Sequence, residues 1–182
     1  MKKIRLSYSL LSCWEKGDIE GAVATYFHTD RAISKAMEEG KKIHEDIATY
    51  TNENKKFPDW FFSYDLKAPG CEKEMIVSYN ELFDLKGVYD CLDGDTLFEF
   101  KTGGADSLEW ARTWQVPIYF LIAELAGIPI KIGMVIRYNQ KKKETDFCVV
   151  HNTKSKRDKA RNIIDSLGPD IYTFFESMGR NP

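Results

Sequence analysis

Two carboxylates and a lysine fall within a short stretch where strand and turn signals alternate. Leu85-Lys86-Gly87-Val88-Tyr89-Asp90 is followed by Asp93-Gly94-Asp95 and then by Leu97-Phe98-Glu99-Phe100-Lys101. An Asp-Gly pair between two apolar runs is a reverse-turn signal, and a turn over residues 93–96 joins the runs as a hairpin. That register sets Leu92 opposite Leu97 and Asp90 opposite Glu99. Strand side chains alternate faces, so Asp90, Glu99 and Lys101 gather on one side, leaving Tyr89, Cys91, Phe98 and Phe100 on the apolar other. Directly opposed carboxylates about 5 Å apart repel by roughly 3 kcal/mol at an effective dielectric near 20. A divalent cation turns that cost into binding, and oxygen ligands of this kind suit Mg²⁺ or Mn²⁺. Lys101, on the same face, then orients an attacking water or steadies a phosphate. A Lewis acid, an activated water and positive charge at the developing oxyanion are what phosphodiester hydrolysis requires. The same triplet also fits a solvated hairpin whose surface ion pairs are worth little, so further residues are needed to decide.

The elements that position this hairpin can be read outward from it. Residues 7–27 have bunched apolar side chains, no proline, and read as helix. Thr29-Asp30 offers an N-cap for a second helix over 31–54, where Ala32, Ala36, Ile43 and Ile47 have helical spacing and Gly40 is tolerated. His44 stands four residues after Gly40 and four before Ala48, on a shared face. Residues 54–70, with two prolines and Trp60-Phe61-Phe62, read as an irregular connection. Strands are expected over 72–79, 82–92 and 97–101. Asp106-Ser107 caps a helix running to about Ala126, which Pro117 is expected to kink. Strands over 130–138 and 145–150 enclose a basic turn at 139–143, and Thr153 or Ser155 opens a last helix to about Ser177. This order predicts one α/β (α+β) domain over residues 1–182, a mixed central sheet flanked by helices. Its parts are N-terminal helices (7–54), a catalytic sheet and helix (72–150) and a C-terminal helix (153–178).

Further motifs stand in a fixed order around the hairpin. Gly40-Lys41-Lys42-Ile43-His44 comes first, then Gly87-Val88-Tyr89-Asp90, then Glu99-Phe100-Lys101-Thr102-Gly103, then Gln115-Val116-Pro117-Ile118-Tyr119. In this set and order the sequence resembles the PD-(D/E)XK nucleases, in particular their RecB-type branch of CRISPR-associated and related exonucleases, over most of its length. The resemblance implies a restriction-endonuclease-like core. It implies His44, Asp90, Glu99 and the Phe100 backbone carbonyl as metal ligands for Mg²⁺ or Mn²⁺, and Lys101 as the catalytic lysine. Gln115 and Tyr119, one helical turn apart, are implied to contact the site carboxylates or the DNA backbone. Either Glu72 or Glu74 matches a further acidic position upstream. Some relatives hold an iron–sulfur cluster with one N-terminal and three C-terminal cysteines. Cys13 lies near the first of these positions, but nothing cysteine-rich follows Cys148, so no cluster is expected.

Composition bounds the remaining possibilities. Hydrophobic residues make up 43% and charged residues 30% of 182, as in ordinary globular proteins. No apolar run reaches the roughly 20 residues of a membrane helix, and no signal-peptide core follows the basic start, so a cytoplasmic location is expected. Cys13, Cys71, Cys91 and Cys148 have no CxxC spacing and read as reduced, mostly buried thiols. The formal net charge of −2 means that contact with DNA, as single strand or duplex end, must come from local clusters. Lys141, Lys142 and Lys143 form one, and Lys154, Lys156, Arg157, Lys159 and Arg161 another; both also read as solvated faces. Trp60, Phe61 and Phe62 can stack on bases or pack inside. The reading is a metal-dependent deoxyribonuclease of recombination, repair, phage replication or CRISPR-type processing. With no Walker motif in the chain, any helicase or recombinase partner acts in trans. The alternatives are a binding or assembly subunit that keeps the fold without catalysis, and a small-molecule metallohydrolase. A single histidine favours Mg²⁺ or Mn²⁺ over zinc.

Overall fold

The strand Phe83–Asp93 (β3) is the member on which the sheet is assembled. The structure, a computed structural model, describes residues 3–29 and 34–178. The Asp30 cap and the start of the expected second helix lie outside the described residues. Around β3 the order is Ile4–Ser7 (β1), Tyr8–Glu15 (α1), Ile19–Phe27 (α2), Lys35–Asn54 (α3) and Gly70–Ser78 (β2). After β3 come Thr96–Thr102 (β4), Ser107–Ala111 (α4), Gln115–Leu125 (α5), Ile132–Asn139 (β5), Glu144–His151 (β6) and Lys154–Ser177 (α6). The sheet order is β1-β3-β4-β5-β6, with β2 on the free edge of β3. β1 runs parallel to β3 and β4 parallel to β5, while the other pairs are antiparallel. The expected mixed sheet flanked by helices is present.

Both faces of the sheet are covered, by two separate cores. On one face Leu6, Leu85, Leu97 and Val135 pack beneath α5 and α6 with Phe120, Ile164 and Phe175. On the other, Cys91, Phe98, Phe100, Met134 and Ile136 meet Ile47 of α3 and Phe57 and Phe61 of the connection. α5 is buried from Gln115 through Ala123, as a largely apolar helix between a sheet and another helix must be.

Several expectations about elements need correction. The first helix does not begin at residue 7. Ile4–Ser7 is a strand, too short to announce itself by periodicity and fixed instead by its parallel pairing, Ile4 with Phe83 and Leu6 with Leu85. The helical stretch that follows is broken at Gly17, whose φ is +71°, and restarts at Asp18, which accepts the Gly21 amide at 2.9 Å. The helix expected from Asp106 to Ala126 is two helices, with Arg112–Trp114 between them. Pro117 causes no kink: it lies in the first turn of α5, and Ile118 makes the first helical bond, to the Trp114 carbonyl. Of the two caps proposed for the last helix, Thr153 is the one used. Of the cysteines only Cys91 is buried, and the other three are half-exposed free thiols.

Candidate active site at a fork in the sheet

β3 carries β2 along one edge and two different strands along the other. β1 pairs with it only from Phe83 to Lys86, and β4 only from Cys91 to Asp93. Residues 87–90, the Gly-x-x-Asp element, lie between, where β1 and β4 part. The hairpin register is the expected one at its turn, with Leu92 opposite Leu97 and Cys91 opposite Phe98, but the ladder ends there and does not pair Asp90 with Glu99. The side-chain alternation, however, breaks at Asp90. Tyr89 packs in the α5-side core, its ring 5.2 Å from Tyr119, whereas Cys91 faces the α3-side core. Tyr89 therefore does not share a side with Cys91, Phe98 and Phe100. The irregularity is local to both strands. The β2–β3 ladder skips Glu72 and Asp90 without a change of register, and Glu72, facing Asp90 on β2, has a left-handed φ of +57°.

The break frees the Asp90 carboxylate to turn sideways, where it accepts the Phe100 amide at 2.5 Å just beyond the last ladder pair. Two glycines bring helices onto this point. A β-carbon at residue 87 would lie 2.9 Å from Ile122 Cδ1 and 3.2 Å from the Tyr119 ring, so Gly87 lets α5 seat directly on β3. A β-carbon at residue 40 would overlap the Thr102 hydroxyl, so Gly40 lets α3 lie against the end of β4. One turn further along α3, His44 Nδ1 is 3.8 Å from Asp90 Oδ1, and its ring stands edge-on to Phe100 at 6.1 Å.

On the α5 side a chain of hydrogen bonds fixes the remaining polar groups. The Lys101 ammonium donates to Glu99 Oε1 at 2.6 Å and to Gln115 Oε1 at 2.9 Å. Gln115 Nε2 donates to Glu99 Oε1 at 2.5 Å and to the Tyr119 hydroxyl at 3.1 Å, and Tyr89 donates to the Tyr119 carbonyl at 3.3 Å. Lys101 also sits over the Trp110 ring, 5.1 Å from its centre, a cation–π contact with no counterpart in the motif reading.

Burial dominates the electrostatics. It pushes Glu99 up to about 7, reinforced by the Asp90 charge and opposed by Lys101. Asp90 is likewise pushed up to about 7 by burial, against Lys101 and the Phe100 amide. Burial alone would lower the Lys101 ammonium, but Glu99 and Asp90 hold it above its ordinary value. His44 is lowered by burial and then by Lys101, which keeps its imidazole neutral at pH 7. Glu72 is raised by burial and feels His44, whereas Glu74 pairs with Lys86 at 2.7 Å. Of the two upstream acids, Glu72 is thus the one whose charge is felt at the site.

The residues fit a divalent cation in one specific respect. His44 Nε2 and Glu99 Oε2 are buried lone-pair donors with no hydrogen-bond partner among the described residues, a costly arrangement that a cation relieves. Among the described residues no three His, Cys, Asp or Glu side chains already converge as a ligand cluster. Glu99 is turned toward Lys101 and Gln115, and Asp90 toward the Phe100 amide.

No family model matches the sequence, and no curated protein matches it. Solved structures do. The structure of an alkaline exonuclease, LHK-Exo from Laribacter hongkongensis, superposes with a TM-score of 0.55 at 12% identity, over 98% of this chain and 93% of that one. LHK-Exo in complex with dAMP gives 0.55 at 11% identity, over 95% and 90%. The chain shares an exonuclease's fold. The structure of SSO0001 is similar as well, with a TM-score of 0.56 at 13% identity over all of this chain and 79% of that one. Within this fold, the structure gathers His44, Asp90, Glu99, Lys101, Gln115 and Tyr119 around the fork.

The expected DNA contacts are distributed differently. Lys141, Lys142 and Lys143 lie exposed in the β5–β6 turn, at the sheet end where Lys101 pairs with Arg137. Lys154, Lys156 and Arg157 begin α6 at the opposite end, after His151 has paired with Ile132. There Lys154 binds Asp158 at 2.9 Å, and Arg157 binds Glu124 at 3.0 Å and also Asn152. The structure does not bring them to the fork. Of the aromatic run, Phe61 is buried, Phe62 half-buried, and Trp60 exposed with its ring against Tyr138. Sequence reading missed Trp110, which no spacing ties to Lys101, and could not choose Glu72, whose place depends on a positive φ in a residue other than glycine.

Proposed function

We propose that this protein is a divalent-metal-dependent nuclease that hydrolyses phosphodiester bonds of DNA, in the manner of an exonuclease. The observation that carries the reading is the presence at the fork of two buried atoms without hydrogen-bond partners among the described residues, His44 Nε2 and Glu99 Oε2, beside the buried Lys101–Glu99 pair. The exonuclease fold supports it, as does the dAMP bound to LHK-Exo, which points to a nucleic-acid substrate. His44, Asp90, Glu99 and the Phe100 carbonyl would hold Mg²⁺ or Mn²⁺. Such a cation supplies Lewis-acid polarisation of the phosphoryl group and a water of lowered pKa. Lys101 supplies fixed positive charge where the phosphoryl oxygens gain negative charge, at no reorganisation cost. Gln115, held by Tyr119, aims both Lys101 and Glu99. Neutral His44 is ready to ligate without first losing a proton.

Incubation with end-labelled single- and double-stranded DNA, with and without Mn²⁺, tests the reading. Wild type should release nucleotides only with the metal, and Glu99→Gln should reduce the rate by at least about a hundredfold. Equal activity of the variant, or cleavage in EDTA, counts against it. The alternative, a binding or assembly subunit that retains the fold, is favoured by the turned-apart carboxylates. It predicts DNA binding without Mn²⁺ uptake in a calorimetric titration.

A further inference from the structure

A cavity of about 960 Å³ opens at the fork and follows β1 away from it, with Gly87, Val88 and Tyr119 at its inner end. The Tyr119 hydroxyl accepts from Gln115, so this end is one side chain from Lys101 and Glu99. The lining is basic. Lys3, Arg5 and Lys86 line it with one carboxylate, Asp84, and Glu74 of β2 stands behind Lys86, in a chain whose net charge is −2. Register explains the clustering. Arg5 pairs with Asp84 and Ser7 with Lys86, while the alternate residues Leu6 and Leu85 enter the core. Lys3 is 3.5 Å from Asp84 and Lys86 is 2.7 Å from Glu74, but Arg5 is exposed and makes no ion pair among the described residues. Aromatic side chains complete the lining. Tyr8 meets Trp114, the residue before Gln115, edge-on at 4.8 Å. Tyr26 stacks on Phe175 at 4.1 Å, and its buried hydroxyl has no hydrogen-bond partner among the described residues.

We propose that this cavity holds a single strand of nucleic acid, with phosphates on Arg5 and Lys86 and bases against Tyr8 and Tyr26, and feeds it to Lys101. Basic side chains along a groove combined with aromatic platforms are the physical signature of sequence-tolerant single-strand binding. The volume is at the top of the roughly 300–1,000 Å³ typical of enclosed ligand sites, room for a few nucleotides. A single strand, unlike a duplex, has bases free to stack on these rings. The assignment of nucleic acid as the ligand rests on the nuclease reading, but the test does not require cleavage.

Arg5→Gln, Lys86→Gln and the double variant are titrated by fluorescence anisotropy against a short labelled single strand and its duplex, in EDTA, over a range of salt. Lys131→Gln, which breaks a pair with Asp95 at the hairpin turn, is the control. Wild type should prefer the single strand. Each single variant should weaken binding several-fold at low salt, and the double variant should lower the salt slope by about 1.4, two contacts at roughly 0.7 each. Unchanged affinity and slope in the double variant overturn the proposal, as does tighter binding of the duplex. A chain that binds through Arg5 and Lys86 but cleaves nothing in Mn²⁺ keeps the groove and loses the nuclease. A chain that cleaves equally well with both residues neutralised loses the groove alone.

Discussion

Asp90 and Glu99 share one difficulty, since both are shielded from water and both are acids. Their carboxyls titrate near 7, whereas an unfolded chain would release the same protons near 4. Between those values the folded protein binds more protons, so this pair's contribution to stability is full below about pH 4 and is lost as pH rises through 7. His44 acts in the opposite sense below 6.5, because its lowered value makes the unfolded chain the better proton binder there. Comparing wild type with Asp90→Asn separates the two effects, since asparagine keeps an acceptor for the Phe100 amide and leaves the Lys101–Glu99 pair in place. In metal-free buffer the variant should match wild type below about pH 4, gain on it as pH rises, and exceed it at pH 8 by about 1–3 kcal/mol. Thermal melts across this range check this, and a gap that narrows with pH would mean the pair is not strained. At the same scale, His44→Ala should narrow a preference for Mn²⁺ over Mg²⁺ in cleavage assays, because imidazole suits transition metals better than hard Mg²⁺. If rate and preference both survive, His44 is a packing residue.

Helices reach the fork through close approach, and that can be tested one contact at a time. Gly40→Ala pushes a methyl into the Thr102 hydroxyl and should cost about 1–3 kcal/mol. Adding Thr102→Ala should recover most of the loss, and a chemical-denaturation double-mutant cycle with no coupling would refute the contact. At this scale, sequence legibility follows the range of the forces involved. The hairpin register was readable because Asp93-Gly94-Asp95 is a local turn signal, and α6 because Thr153 caps it locally. β1 was not readable, because its four residues are a strand only by pairing with β3, some eighty residues away. Pro117 misled for a related reason: its effect depends on its position within the helix, and that start is set by Trp114, which carries no capping side chain. The site residues were legible as types in order. Their connection was not, since the Gln115 bridge between Lys101 and Glu99 and the Glu72–Asp90 irregularity arise only once α5 and β2 are docked.

Across the whole molecule, charge is organised locally. Lys154, Arg157 and Arg161 at the start of α6 are taken up by Glu124 and Asp158, while positive side chains of β1 and β3 line the cavity that opens at the fork. Among the described residues no helix is long and apolar enough to cross a membrane. The fork has a mechanical consequence as well. Over residues 87–90, β3 has a neighbouring strand on one edge only, and even that β2 ladder lapses at Glu72 and Asp90. The sheet is therefore two stiff plates, β1 with the first half of β3 and β4 with β5 and β6, strapped together at the point where the carboxylate stands. Native-state hydrogen exchange should find the amides of residues 87–90 opening faster than those of Leu85 and Leu92 on either side. Equal protection along the strand would make the sheet one rigid plate. If the strap does yield, a small rocking of one plate on the other shifts Asp90 relative to Glu99, and closing on a cation would lock the hinge.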